Sequence, residues 1–220
     1  WKYKSRVRRF WINWKMKPLI DKKLIAISGF SRVGKNSFAN ELQKQLIDCA
    51  PNLKVQQFSF AESLRQELNA FVKENFDISV FTEDSGEKSI IRPILIAYGN
   101  AKRVKTNNQY WIENLHRKIE KSDCDIAIIT DLRYAQSTGK FKDELDWFKS
   151  HNGKLIHIQR FAFAGKKKVF QPAPNEFEKE NDPILQKAAF RSYQIPMMDT
   201  KEEFFSYLKE ECSKLIGYFL

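Results

Sequence analysis

Residues 24 to 37 read LIAISGFSRVGKNS, an apolar β-branched run that passes through Gly29 and the pair Gly34-Lys35 straight into a helix-forming segment. Few stretches constrain a fold more tightly. Leu24 to Ser28 predicts a buried strand, and Gly29 lets the backbone turn sharply enough for the N–H groups of Phe30, Ser31, Arg32, Val33, Gly34 and Lys35 to converge. Converging N–H groups select an anion. Gly34 has no side chain to obstruct phosphates, Lys35 can bridge the outer two, and the helix that follows points its positive end at the same place. GxxxxGK between a strand and a helix is the spacing of a phosphate-binding P-loop. The usual pattern places Ser or Thr directly after Lys, whereas here Asn36 comes first and Ser37 second. Ser37 is therefore the first candidate for a Mg²⁺ ligand and Asn36 the lesser one.

At 220 residues and 42% hydrophobic side chains the chain suits one α/β domain better than two. No run approaches transmembrane length. Cys49, Cys124 and Cys212 are odd in number and scattered, which fits reduced thiols and a cytoplasmic protein. His116, His151 and His157 carry no metal-ligand spacing and read as surface or packing residues. The formal charge of +11 is unevenly placed: residues 1 to 23 hold nine Lys or Arg against one Asp, net +8, leaving +3 for the rest. Residues 1–21 are expected to be a basic aromatic extension and residues 22–220 the folded domain. Residues 1–23 could contact nucleic acid through stacking and phosphate pairing, or rest on a membrane surface. A segment that starts at Trp1 and carries Met16 shortly before the first strand also suits over-extended translation or a cloning remnant.

Further along, the pattern predicts a helix over 37–49, a short strand over 54–58, helices over 60–76, 90–103 and 108–121, and a strand over 125–130. Trp111, Leu115 and Ile119 form an aromatic and aliphatic stripe suited to the core. Asp131 falls where the DIAIIT strand ends, where a carboxylate either helps hold Mg²⁺ or caps a turn. A helix over 141–150, a strand over 154–160, a mobile loop over 161–181, a short strand near 191–195 and a helix over 201–217 complete the pattern. Alternating strands and helices imply an α/β, three-layer P-loop NTPase fold: a mostly parallel central sheet with helices on both faces, and the ligand at the strands' carboxyl ends. Arg65, Arg92, Arg103, Arg133 and Arg160 fall on or beside elements expected around that cleft, and guanidinium groups suit two phosphate-bearing substrates brought together.

The stretch GFSRVGKNSFA resembles the P-loop of nucleoside monophosphate kinases, in which one residue commonly separates Lys from the hydroxyl residue. FSFAESLRQEL, EKSIIRPILIAYGNAKRVKTNNQYWIENLHRKI, IITDLRY and GKLIHIQR follow in the order of phage-type deoxynucleoside monophosphate kinases and their relatives, a resemblance spanning about residues 22 to 200. It implies ATP and Mg²⁺ as cofactors and transfer of a phosphoryl group from ATP to a deoxynucleoside monophosphate. It also implies that Gly29, Gly34, Lys35 and Ser37 hold the ATP phosphates and metal. Arg65 and Arg92 would meet the monophosphate, with Arg103 a weaker third, and Asp131 and Arg133 would serve the metal and the transferring group. Family members often carry an acid soon after the TDLRY-like block; here Gln136 to Lys142 comes between that block and Asp143 and Glu144. NEFEKENDPIL, residues 175 to 185, resembles a segment of the same relatives without an evident chemical role. A basic segment over Arg133 to Lys142 is expected to close over the site, the cytoplasm of a phage host to be the compartment, and a homodimer is compatible with the pattern. Two other functions fit: a kinase for another phosphorylated metabolite, or a non-catalytic nucleotide-binding accessory of nucleic acid.

Overall fold

The computed structural model describes Met16, residues 18–136 and residues 143–220. The basic extension through Lys15, together with Lys17, lies outside the described residues, as does all of the expected closing segment beyond Gln136 up to Lys142. Among the described residues the strands are β1 (Lys23–Ser28), β2 (Val55–Phe58), β3 (Ile126–Ile129), β4 (Lys154–Ala164), β5 (Lys167–Phe170) and β6 (Arg191–Pro196). The helices are α1 (Lys35–Cys49), α2 (Phe60–Phe76), α3 (Ser85–Thr106), α4 (Gln109–Lys121), α5 (Glu144–Ser150), α6 (Glu176–Ala188), α7 (Lys201–Ser213) and α8 (Ile216–Phe219).

They build one sheet in the order β2-β3-β1-β4, with β6 pairing the far edge of β4. These pairs are all parallel, and β5 alone runs antiparallel against the outer end of β4. β1 is central, and its side chains serve two cores. Leu24 and Ala26 join Ala127 and Ile129 in a layer with α2, α4, α5 and α6, while Ile25 and Ile27 join Ile126 and Ile128 in a layer with α1, α7 and α8. A strand buried on both faces cannot alternate polar and apolar residues, which explains the unbroken run LIAI and the equally unbroken IAII of β3. The mostly parallel sheet covered on both faces is the expected architecture. Trp111, Leu115 and Ile119 are buried on α4 in the first of these cores, as their stripe predicts.

A third, smaller cluster stands apart from the sheet: Leu68 and Val72 of α2, Ile78, Val80, and Ile91 of α3. α3 starts at Ser85, five residues before the helix expected over 90–103, so Pro93 lies inside the helix, where it removes one i→i−4 hydrogen bond. Among the described residues no helix is long and apolar enough to cross a membrane.

The structure departs from the sequence reading over 161–181. That stretch is ordered as the outer half of β4, the strand β5 and the start of α6. α6 begins at an Asn175 cap whose side chain accepts from the Glu178 N–H, and it runs through Pro183 to Ala188. Its apolar anchor is Leu185, 3% exposed in the core beneath the sheet. Leu185→Ala should therefore cost about 2–5 kcal/mol of unfolding free energy, as for other buried Leu truncations. Urea denaturation measures this, and a loss below about 0.5 kcal/mol, the ordinary range for a surface change, would return the segment to a loop.

Candidate active site

β1 ends at Ser28, and the chain leaves it through a turn that only glycine can make. Gly29 has φ +128°, and a Cβ there would stand 2.1 Å from the Ile158 carbonyl oxygen of β4. Gly34, at φ +97°, presses on the ring of Phe204, where a Cβ would come within 2.8 Å. Arg32 between them also takes a positive φ of 67°. The turn ends in Gly34 as the N-cap of α1, with no side chain capping that helix. Its first N–H groups therefore face outward at the positive end of a 15-residue helix.

Lys35 opens α1 and folds back over the turn. Its Nζ donates to the carbonyls of Gly29 at 2.8 Å and Phe30 at 2.6 Å. Burial, and then the nearby Arg133 guanidinium, lower its pKa to about 8, while Glu178, Asp131 and Asp182 pull in the other direction. Asn36 is exposed and Ser37 half-buried in the first turn of α1. Phe30, Ser31, Arg32 and Val33 complete the turn, with Val33 buried in the core beside α1.

Asp131 follows β3 and caps α2: Oδ1 accepts from the Phe60 N–H at 2.8 Å, and Oδ2 from Ala61 N–H at 2.9 Å and Ser59 Oγ at 2.7 Å. Of the two expected readings of this carboxylate the structure shows the cap, and it stands within electrostatic reach of Lys35. Arg133, two residues on, is held at both ends. Its N–H donates to Glu144 Oε2 at 2.9 Å, and its guanidinium donates to Glu178 Oε1 at 3.0 Å. Glu144 is the acid that the sequence sets apart from TDLRY; folding brings it back, since it also accepts from the Tyr134 N–H at 3.1 Å.

The structure thus gathers Gly29, Gly34, Lys35, Ser37, Asp131 and Arg133 at the carboxyl ends of β1 and β3. Of the three substrate candidates, Arg103 adjoins this group, sharing Glu144 with the Arg133 backbone, whereas Arg65 and Arg92 do not join it. Arg103 is bound to the buried Glu144 at 3.0 Å and lies over the Tyr134 ring at 3.8 Å. Arg65 and Arg92 are exposed on α2 and α3, the helices of the small outer cluster. Arg160 stacks on Phe204 at 4.6 Å, close to Gly34. Two clefts, of about 430 Å³ between α2 and α4 and about 410 Å³ beside Leu19 and Phe219, lie away from the turn.

Sequence reasoning missed a buried set behind the turn. Glu178 of α6 accepts from the Ser31 N–H at 3.0 Å. Ser28 Oγ lies 3.0 Å from His157 Nδ1, and His157 Nε2 lies 3.4 Å from Asp182 Oδ2, an ion-pair distance without hydrogen-bond geometry. His157 packs, as its sequence suggested, but it does so between two polar partners. The signal for α6 was present in NEFE: an Asn followed three residues later by Glu is a helix-start pattern.

Asp131→Ala removes three acceptor contacts at the head of α2 and should destabilise the fold by about 1–3 kcal/mol. Thermal or urea unfolding checks it, and a change under about 0.5 kcal/mol would show that α2 does not depend on this cap.

No curated protein sequence matches this chain significantly. The family model for phosphomevalonate kinase matches residues 27–154, from the last two residues of β1 through the turn and α1 to α5 to the first residue of β4. This region holds Gly29 to Ser37, Asp131 and Arg133, and it is more than half of the chain. The chain belongs to the phosphomevalonate kinase family.

Proposed function

We propose that the protein transfers the terminal phosphoryl group of ATP to the phosphate of phosphomevalonate, giving ADP and a diphosphate ester. A kinase of some kind follows from the family. The acceptor rests on the family alone, and the ATP seat on one observation: a buried lysine folded into a two-glycine turn at the head of an uncapped helix, with Arg133 beside it. Such a turn fits a polyphosphate. The Lys35 ammonium is already desolvated and held by carbonyls, so an arriving phosphate offers it an anionic partner in place of neutral ones. Gly29 to Ser37 would form the P-loop, with its N–H groups and Lys35 on the outer phosphates.

Mg²⁺ fits less simply. Ser37 is in the first turn of α1, and Asp131 Oδ1 accepts a single hydrogen bond, which leaves it a lone pair for a metal-bound water. The ion would neutralise charge between the phosphates when bound. The chain's own residues then perform positioning and charge balance: Lys35 and the α1 terminus fix the donor, and Arg133 faces the transferring group. The acceptor phosphate oxygen attacks in line, without a covalent enzyme intermediate, and closure over the site would keep water from taking its place. Arg65 and Arg92, exposed on the outer helices, are the acceptor candidates that such a closure would bring in.

A deoxynucleoside monophosphate, the acceptor that the resemblance implied, is the second candidate, because phosphate-binding arginines do not name what the phosphate is attached to. An ADP-release assay with ATP, Mg²⁺ and either phosphomevalonate or each deoxynucleoside monophosphate separates them. We expect turnover with phosphomevalonate and its loss, by about 10³-fold or more, in Lys35→Ala with the fold intact. Turnover only with a deoxynucleoside monophosphate would replace the acceptor, and near-normal turnover in Lys35→Ala would remove the P-loop from the mechanism.

The pH dependence of nucleotide binding follows from Lys35. Its pKa of about 8 in the free protein means that the ammonium is present below that value and is lost as pH rises through it. ATP affinity should fall between pH 7 and pH 9.5 by calorimetry in wild type, and it should be weak and flat over the same range in Lys35→Ala. A flat wild-type profile would mean that Lys35 does not meet the phosphates.

A further inference from the structure

α6 carries the segment NEFEKENDPIL, and its inward stripe is almost entirely polar. Glu178, Asn181, Asp182 and Leu185 recur at helical spacing, and each is committed to a different neighbour. Glu178 reaches the turn and Arg133. Asn181 Oδ1 accepts from the Ala135 N–H at 2.9 Å, in the loop that carries Arg133. Asp182 faces His157. Leu185 is buried in the core. α6 therefore fastens the Gly29–Lys35 turn to the 131–136 loop.

Resting on the kinase assignment above, we propose that Glu178 is a positioning residue for phosphoryl transfer, its carboxylate bridging the Ser31 N–H and the Arg133 guanidinium so that this cation stands fixed beside Lys35. The Glu178 side chain is 9% exposed and that of Arg133 is 41% exposed. Burying a carboxylate for stability alone is a poor bargain, since a well-packed apolar residue often does as well as a buried ion pair. What the carboxylate does provide is geometry. With its N–H on Glu144 and one guanidinium nitrogen on Glu178, Arg133 is anchored at both ends while the remainder of its fork stays open to a ligand. Ser31 is fixed likewise, its N–H on Glu178 and its carbonyl accepting from Gln171 Nε2 at 2.8 Å. Its N–H is thus taken by the chain's own acid, and the phosphate seat falls to the N–H groups further along, toward α1.

In the transfer step the bond between the terminal phosphorus and its bridging oxygen breaks, that oxygen departs on ADP, and an acceptor phosphate oxygen bonds to the same phosphorus. Arg133 gives up no proton. Its guanidinium lies against the equatorial oxygens, where charge must be met at a fixed place to lower the barrier. A freely rotating Arg133 would meet that charge less well. A competing possibility is that Glu178 is an anionic plug on the turn, displaced when phosphate arrives. Its helix is held by Asn181, Asp182 and Leu185, which favours a permanent brace.

The test is steady-state kinetics at pH 7 on the full chain, for wild type, Glu178→Gln, Arg133→Ala and the double variant, using the acceptor that wild type turns over. Glu178→Gln should lower kcat by on the order of 10²-fold, as misplacement of a transfer group does, with KM for ATP changed less than about threefold. Adding it to Arg133→Ala should lower kcat no further. If Glu178→Gln does not fold, Glu178→Asp, which keeps the charge and draws it back by one methylene, is read by the same criteria. An unchanged kcat, or losses that multiply in the double variant, would overturn the proposal. So would tighter ATP binding with kcat undiminished, which is the signature of a plug. A wild-type protein without turnover on any acceptor would sink the kinase assignment first and this inference with it, before any variant is compared.

Discussion

The site depends on one backbone contact, the passage of Gly29 beneath the Ile158 carbonyl. β4 extends beyond the end of β1, so its outer half forms a wall that the chain must clear on leaving the sheet. No side chain fits there, and the φ of +128° is itself closed to most L residues. Because Gly29 turns at that point, Lys35 can reach back to the carbonyls of Gly29 and Phe30 and α1 can start with its N–H groups uncapped. The cation is thus lodged in the turn, poorly solvated and held by neutral carbonyls.

Around this turn, carboxylates act chiefly as fasteners. Asp131 binds the head of α2, Glu144 binds the backbone of Arg133 and Tyr134, and Glu178 binds the backbone of Ser31. Each acid accepts from main-chain N–H groups and so joins one loop to another at the carboxyl edge of the sheet. The negative charge of Glu178, Asp131 and Asp182 also offsets the repulsion of Lys35 by Arg133 in a poorly solvated place. α2 and α3 share an apolar cluster beyond the sheet with Ile78 and Val80, and Arg65 and Arg92 are exposed on the same two helices.

Much of this was legible in the sequence, because the central strands are uninterrupted β-branched runs and the turn carries its own spacing signature. Trp111, Leu115 and Ile119 announced their face of α4 by periodicity alone. α6 was hidden for a physical reason. Its inward face is made of Glu178, Asn181 and Asp182, so the hydropathy pattern is inverted, and Pro172, Pro174 and Pro183 imitate a loop. β5 was equally hidden, since its place depends on pairing with β4 and its own residues are all exposed. Glu144 could not be joined to Arg133 from spacing, because their contact is made by tertiary folding between residues eleven apart in sequence. Nor do arginines reveal what a phosphate is attached to, and the acceptor came from the family model.

The most direct measurement is a crystal structure of the full chain with Mg²⁺ and a non-hydrolysable ATP analogue. The outer phosphates should lie within hydrogen-bond distance of the N–H groups from Arg32 to Ser37, with Lys35 Nζ swung from the Gly29 and Phe30 carbonyls onto a phosphate oxygen. A nucleotide seated away from this turn, or Lys35 still bound to those carbonyls in its presence, would contradict the assignment of the turn as the phosphate seat.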